Sequence, residues 1–297
     1  SPLAAGADAT LVYPNAASGL VSFYPKFLDR TDCKTLPDKC TWAEELQNYA
    51  NWYTYHSTRA ELAKTGIGIA FQPLNPTFRL GWGTINDMES NSRLQAGVQL
   101  FNTTTKSNLL TWLYGLSTPG DTPNRKAIDG VGKYFQREDN DGPWANNPPA
   151  GAASITSTGA VDNTHATCRR SYTLLMTDGY YNDSFTIADA DTTAGAAIDT
   201  YTYAPIGPFS DSIDNTARSN TFADIAMKYW GTDLRPGLPN KIKPNSNDPA
   251  FWQHMNFYAI GLGVLGEMDA TSSQLLKDLS GSASSVPPRV TNWPAPS

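Results

Sequence analysis

The stretch SYTLLMTDGYYND, residues 171–183, joins an apolar run to an abrupt polar end. Residues 172–176 are apolar or nearly so, and Thr177-Asp178-Gly179 follows them directly. A short apolar run that ends in a turn signal is typical of a buried strand. In α/β folds ligands bind at the carboxyl ends of such strands. We therefore expect Asp178 to lie on the functional edge of a sheet.

A second apolar run, MNFYAIGLGVLG (255–266), is also apolar on both faces, and helical patterns alternate with the predicted strands. This pattern is typical of a parallel sheet that helices cover on both sides. We predict an α/β fold with a doubly wound, mostly parallel sheet that includes 79–85, 172–177 and 256–264. Flanking helices are expected near 42–64, 106–116, 123–136, 220–233 and 271–280, with long loop insertions at 138–165 and 180–219.

The clearest predicted helix begins at Thr41, because Thr41-Trp42-Ala43-Glu44 has the spacing of a capping box. Apolar and small residues follow at helical spacing to about Lys64 or Phe71. The aromatic content of NYANWYTY (48–55) predicts that this helix is broadly buried.

The composition favours a loop-rich extracellular protein, with 21 Pro and 23 Gly among 297 residues and only 17% charged residues. The length allows one large domain or two small ones, and we interpret 1–297 as a single domain that begins with an irregular segment, 1–32. The formal net charge is -6 and no basic stripe is present, so we expect no nucleic-acid partner. No apolar run is long enough for a membrane span, and no signal-peptide pattern occurs.

Cys33 and Cys40 flank a proline-containing turn in DCKTLPDKC. We predict a disulfide between them, which would close a loop of about eight residues and stabilise the fold by roughly 2–3 kcal/mol. The alternatives are two free thiols or half of a zinc site, although no second Cys/His pair stands nearby. Cys168 is then the odd cysteine.

Thr122 and Asp178 are the candidate ligands for a hard divalent cation, which needs oxygen atoms from several loops. Each also has a structural interpretation, Thr122 as a helix cap and Asp178 as part of a turn. DADTT (189–193) is at best a weak cation site. REDNDGPW (137–144) has Arg137 where a calcium loop needs its first Asp, so we discount it.

An enzyme has little support in the sequence. Three histidines form no HExxH motif, and no GxSxG elbow, P-loop or GxGxxG occurs. We expect His56 and His254 to have structural roles.

Several stretches together are similar to the N-terminal region of the PilY/PilC family of type IV pilus tip and assembly proteins. They are RTDCKTLPDKCTWAEELQNYANWYTYHSTRAELAKTGIGIAF, RLGWGTIN, GDTPNRKAIDGVGKYF, CRRSYTLLMTDGYYND, FADIAMKYWGTDLRPGLPN and WQHMNFYAIGLGVLG. The resemblance covers roughly residues 29–297.

The resemblance implies a von Willebrand factor A-like domain in a non-enzymatic protein at the pilus tip, exported through the periplasm and outer membrane. Such a protein would contact the minor pilins and a host or abiotic surface, and would act in pilus assembly, twitching motility and adhesion. The family's C-terminal β-propeller has no counterpart here, so we expect this chain to be part of a longer one.

The sequence departs from the von Willebrand factor A pattern at the metal site. Thr122 and Asp178 match two elements of that site, but no Asp-x-Ser-x-Ser occurs. We therefore expect an incomplete site, with no tightly bound cofactor and at most weak binding of Mg²⁺ or Ca²⁺. The alternatives are a metal-dependent ligand-binding domain of the integrin type and, with less support, a secreted hydrolase.

Overall fold

The computed structural model describes residues 23–26, 30–117, 120–177, 181–205, 210 and 219–262. Its first elements are β1 (Phe23–Pro25), β2 (Lys39–Thr41), α1 (Trp42–His56), α2 (Arg59–Phe71), β3 (Arg79–Trp82), α3 (Ile85–Asn91) and β4 (Arg93–Leu94). Then follow β5 (Ala96–Leu100), α4 (Thr103–Gly115), α5 (Asn124–Phe135), β6 (Ala153–Ser154), β7 (Ser171–Thr177), α6 (Phe222–Trp230) and β8 (Met255–Gly261).

The chain divides into two compact units, Ser1–Ala70 and Phe71–Ser297. The interpretation of 1–297 as one domain stays a prediction. None of the helices in the described part of the chain has the length and apolar character needed to span a bilayer.

The first unit is organised around a disulfide and a helix cap. Cys33 and Cys40 are bonded, as one interpretation of the sequence predicted, whereas Cys168 in the second unit is free and exposed. β1 pairs antiparallel with β2, which leads directly into α1. The predicted capping box is confirmed, because the Thr41 hydroxyl accepts from the Glu44 N–H and the Glu44 carboxylate accepts from the Thr41 N–H. The hydrogen bonds that the Glu44 carboxylate accepts from the N–H groups of Thr41, Thr35 and Lys34 hold the pKa of Glu44 well below its usual range.

Two predictions about the first helix are wrong. The helix divides after His56, because Thr58 begins a new helix and its hydroxyl accepts from the Glu61 N–H at 3.1 Å. None of the 15 residues of α1 is buried, although the sequence predicted broad burial. Aromatic content alone does not bury a helix; a partner surface must cover it.

The second unit contains the parallel pair that the sequence predicted. β7 and β8 run parallel in a register from Ser171 opposite Met255 to Thr177 opposite Gly261. The described strands form four two-stranded sheets, and the other three are antiparallel. The fold is therefore mixed α/β with short sheets, and the doubly wound von Willebrand factor A-like sheet stays a prediction.

The predicted strand 79–85 is shorter than expected and lies in a different sheet among the described strands. β3 ends at Trp82 and pairs antiparallel with β5. The register shifts at Gly81, where an added Cβ would lie 2.9 Å from the Ala96 carbonyl oxygen. The chain then enters α3, because the Thr84 hydroxyl accepts from the Asp87 N–H. We did not predict α3 from the sequence.

One of the hydrophobic clusters of the second unit lies on one face of the β7–β8 pair. Leu175 and Met255 pack there with Ile128 of α5 and with Ile225 and Tyr229 of α6. The predicted helices 106–116, 123–136 and 220–233 correspond to α4, α5 and α6. The helix predicted near 271–280 lies outside the described residues.

The other face of this strand pair differs from the prediction. Tyr172, Leu174, Tyr258 and Ile260 are 41–56% exposed, so within the described residues helices cover only one face. The side chains along β7 alternate between buried and exposed for most of its length.

A buried carboxylate joins the two strands to the end of α6. Asp248 accepts hydrogen bonds from Arg170 Nη1 (2.8 Å), His254 Nε2 (2.9 Å) and Asn256 Nδ2 (3.0 Å) through Oδ2. Its Oδ1 accepts from Trp230 Nε1 at 3.2 Å. Burial alone would raise the pKa of Asp248, but the hydrogen bond and charge of His254, with the bonds from Asn256 and Trp230, hold that pKa well below its usual range.

We expect Asp248→Asn to lower the free energy of unfolding by about 3–5 kcal/mol, because it removes the acceptor charge from a buried polar network. Urea denaturation followed by tryptophan fluorescence measures this loss. The control is Asp141→Asn, since the Asp141 side chain is 54% exposed; its effect should stay within about 0.5 kcal/mol. If both substitutions changed the free energy of unfolding by the same small amount, the stabilising role of the Asp248 carboxylate would be contradicted.

Candidate functional site

The end of β7 and the start of α5 meet at one edge of the second unit. Asn124 Nδ2 donates to Thr177 Oγ1 at 3.3 Å. The Thr122 N–H donates to Asn182 Oδ1 at 2.8 Å, and the Asn182 N–H donates to the Thr122 carbonyl at 3.2 Å. The structure thus brings Thr122 to the segment that follows β7, and the proposed pairing of Thr122 with Asp178 stays a prediction. Asp178 itself lies outside the described residues.

Asp183 holds this edge together, and the sequence analysis missed it. Its Oδ1 accepts from Arg125 Nε at 2.9 Å, and its Oδ2 accepts from the Lys126 N–H at 3.0 Å. α5 has no side-chain cap of its own at Pro123 and no acidic residue in its first turn. Asp183 therefore caps the helix from a distant segment and complements the positive end of its dipole.

The guanidinium group of Arg125 extends the same edge. It lies 3.9 Å from the ring centroid of Tyr181, a cation–π contact, and its Nη1 donates to the Asn220 carbonyl at 2.7 Å. Asn220 immediately precedes Thr221, the N-cap of α6. Arg125 therefore links the first turn of α5 to the start of α6.

The described residues around Thr122 fit a divalent cation poorly. The oxygen atoms that approach this edge already accept hydrogen bonds, Asn182 Oδ1 from Thr122 and the Asp183 carboxylate from Arg125 and Lys126. The guanidinium group of Arg125 and the positive end of the α5 dipole also lie at this edge and compete with a cation for the Asp183 carboxylate. Hard cations prefer several negatively charged oxygen ligands.

The weak cation site predicted at 189–193 corresponds to an acidic cluster. Carboxylate oxygens of Asp189, Asp191 and Asp224 lie within 4.8 Å of one another. Asp224 caps its own helix, since it accepts from the N–H and hydroxyl of Thr221, and it also accepts from the Ala190 N–H. The hydrogen bonds of Asp224 therefore have a structural role, because they tether the insertion after β7 to α6.

The two buried histidines have structural partners. His254 Nδ1 lies 2.7 Å from the Trp252 carbonyl and its Nε2 lies 2.9 Å from Asp248 Oδ2, so both nitrogens face acceptors. His165 Nδ1 accepts from Arg235 Nη1, and its Nε2 therefore carries the proton and faces Asn140 Oδ1. Burial, with the charge of Arg235, lowers the pKa of His165. Neither ring is placed as a general base, and His56 is exposed on α1.

The loop at 137–144 is fixed by an ion pair rather than arranged as a calcium loop. Asp139 Oδ2 accepts from Arg137 Nη2 (2.8 Å) and from the N–H groups of Thr158 (2.6 Å) and Gly159 (3.0 Å). Both charged side chains are 2% exposed. Burial opposes ionisation of Asp139, but these bonds outweigh it and lower the pKa to about 2.

A separate feature of the first unit is the exposed aromatic face of α1, formed by Trp42, Leu46, Tyr49, Trp52 and Tyr53. Each of these side chains is 44–61% exposed. Tyr49 lies 5.9 Å from Trp52 and 6.3 Å from Tyr53 between ring centroids. Residues 46–58 contain no Asp, Glu, Lys or Arg. Large uncharged aromatic patches of this kind are typical of interaction surfaces.

The comparisons with known proteins give one consistent result. No family model matches the chain, and no solved structure matches it. Three curated relatives, each named Type IV pilus biogenesis factor PilY1, come from strains of Pseudomonas aeruginosa. The PAK protein is 32% identical over 275 residues, which cover 83% of this chain and 22% of the relative.

The PAO1 protein is 32% identical over 274 residues (82% of this chain, 22% of the relative), and the UCBPP-PA14 protein is 33% identical over 237 residues (73% and 19%). The chain thus spans about a fifth of the length of the curated relatives it matches.

We expect the free energy of unfolding to fall between about pH 5 and pH 2 in part because of Asp139. The pKa of Asp139 is about 2 in the folded state, below its value of about 3.9 in the unfolded state. Asp139 therefore stabilises the fold fully above about pH 3.9, and this stabilisation is lost as the pH falls towards about 2. Urea denaturation at several pH values measures this loss. The free energy of unfolding of the wild type exceeds that of Asp139→Asn at about pH 5, and this excess should shrink by about 2 kcal/mol as the pH falls to about 2. A difference independent of pH would contradict this assignment.

We also expect Mg²⁺ and Ca²⁺ at millimolar concentration to leave the melting temperature nearly unchanged. A site filled at 100 times its Kd would stabilise the fold by about 2.7 kcal/mol and raise the melting temperature by at least about two degrees. Thermal melts with each cation, with EDTA and with Asp178→Ala test this. A rise that Asp178→Ala abolishes would establish a functional metal site.

Proposed function

Since the chain belongs to the PilY1-like proteins, we propose that it is a non-enzymatic module that acts in type IV pilus biogenesis. The similarity to three pilus biogenesis factors carries this proposal. The finer part of the proposal is a position at the pilus tip, with roles in assembly, twitching motility and adhesion to a host or abiotic surface. The family resemblance of the sequence supports that part.

The Cys33–Cys40 disulfide supports a location on the cell surface or pilus, reached through the periplasm and outer membrane. Disulfides form and persist in such oxidising compartments. The buried histidines support a non-enzymatic role, because their rings are committed to structural contacts.

We propose that the aromatic face of α1 contacts the minor pilins. Tyrosine and tryptophan dominate the binding energy of many protein interfaces. Burying Tyr49, Trp52 and Tyr53 against a partner would remove a large apolar area from water without desolvating any charge on 46–58.

The test measures binding of the full chain to purified soluble domains of the minor pilins. We expect the triple substitution of Tyr49, Trp52 and Tyr53 by Ser to weaken binding at least tenfold, which about 1.4 kcal/mol would produce. The matched control is Tyr114→Ser, because Tyr114 on α4 is 47% exposed.

No binding of the wild-type chain to any minor pilin would contradict the proposed partner. Equal weakening by the triple variant and by Tyr114→Ser would show that the α1 face is not the contact surface. Circular dichroism confirms that each variant is folded.

A further inference from the structure

Arg79 and Arg169 lie against the same turn of the second unit. Arg79 Nη1 donates to the Ala145 carbonyl at 3.1 Å, and its Nη2 donates to the Asn146 carbonyl at 2.6 Å. Arg169 Nη1 donates to the carbonyls of Trp144 and Ala145 at 2.7 and 2.8 Å. Because they share the Ala145 oxygen, the two guanidinium groups are immediate neighbours.

Three other arginines of the second unit have a carboxylate as counter-charge. Arg125, Arg137 and Arg170 each form an ion pair with an aspartate. Within the described part of the chain, Arg79 and Arg169 have only carbonyl oxygens as hydrogen-bond partners. Carbonyls satisfy N–H donors but do not neutralise two adjacent positive charges.

The pKa values of Arg79 and Arg169 reflect the burial and the closeness of the two charges. Burial lowers the pKa of both arginines, and the charge of Arg79 lowers the pKa of Arg169 further. Both side chains are nevertheless partly accessible to solvent. An anion bound beside both groups would relieve their mutual repulsion.

The N–H donors of Arg169 that make no hydrogen bond among the described residues have a geometry that suits an oxyanion. Among the described residues, every hydrogen bond of Arg169 comes from Nη1, which leaves its Nε–Nη2 edge available. This edge presents two parallel N–H groups that match the two oxygens of a carboxylate, sulfate or phosphate. The turn that holds the pair is rigidly anchored, because Trp144 is buried and its Nε1 donates to the Phe135 carbonyl at 2.7 Å.

We propose that Arg79 and Arg169 form a binding site for one oxyanion group, a carboxylate or a sulfate, carried by a ligand of the protein. The Nε–Nη2 edge of Arg169 makes the bidentate contact, and Arg79 supplies the second positive charge. This site lies outside the edge at Thr122 and outside the α1 face, and it does not depend on the proposed pilus function.

Isothermal titration calorimetry of the whole chain with sodium sulfate, phosphate and acetate tests the site, with chloride used to keep the ionic strength constant. We expect saturable binding of at least one anion. Preference for acetate would indicate a carboxylate ligand, and preference for sulfate or phosphate a tetrahedral one. Arg169→Gln and Arg79→Gln should each weaken binding at least tenfold, and Arg169→Lys should weaken it less than Arg169→Gln, because it keeps the charge and loses the fork.

The matched control is Arg93→Gln, which removes an exposed positive charge from the same unit and should leave binding unchanged. Absence of saturable binding, or equal loss in Arg93→Gln, would overturn the proposal. If Arg169→Gln does not fold, Arg79→Gln decides; anion binding that survives this substitution would also overturn it.

Discussion

The second unit depends on the buried carboxylate of Asp248. One side chain accepts hydrogen bonds from the residue before β7, from the last residue of α6, from the residue before β8 and from the second residue of β8. Two parallel strands have no tight turn to join them, so their common starting point must be fixed by other contacts. A buried charge that lost these donors would be costly. The network therefore aligns the starts of the two parallel strands and ties them to the end of α6.

The opposite end of β7 is fixed by a second carboxylate, Asp183, which joins α5 to the segment after the strand. Together, the two carboxylates hold the strand at both ends and place Thr122 beside it. Arg125 and the first turn of α5 lie at this end of the strand, and Asp183 pairs with both.

The parts of the structure that local sequence determines were predictable. Thr41 and Glu44 marked a helix start, and the apolar run at 172–176 marked a strand whose pairing with β8 was confirmed. The spacing of Thr84 and Asp87 held a signal for α3 that was overlooked. Asp183 and Asp248 were not predictable, because they contact arginines 58 and 78 positions away. The exposure of α1 was also not predictable, since burial of an aromatic side chain depends on which surface covers it.

A double-mutant cycle between Arg170→Met and Trp230→Phe tests most directly whether Asp248 couples the strands to α6. The two side chains donate to different oxygens of the same carboxylate. If the network acts as one unit, the free energy of unfolding of the double variant should differ from the sum of the single effects by about 1 kcal/mol or more. Additive effects, within about 0.3–0.5 kcal/mol, would show that each contact acts alone and would contradict the central role of Asp248.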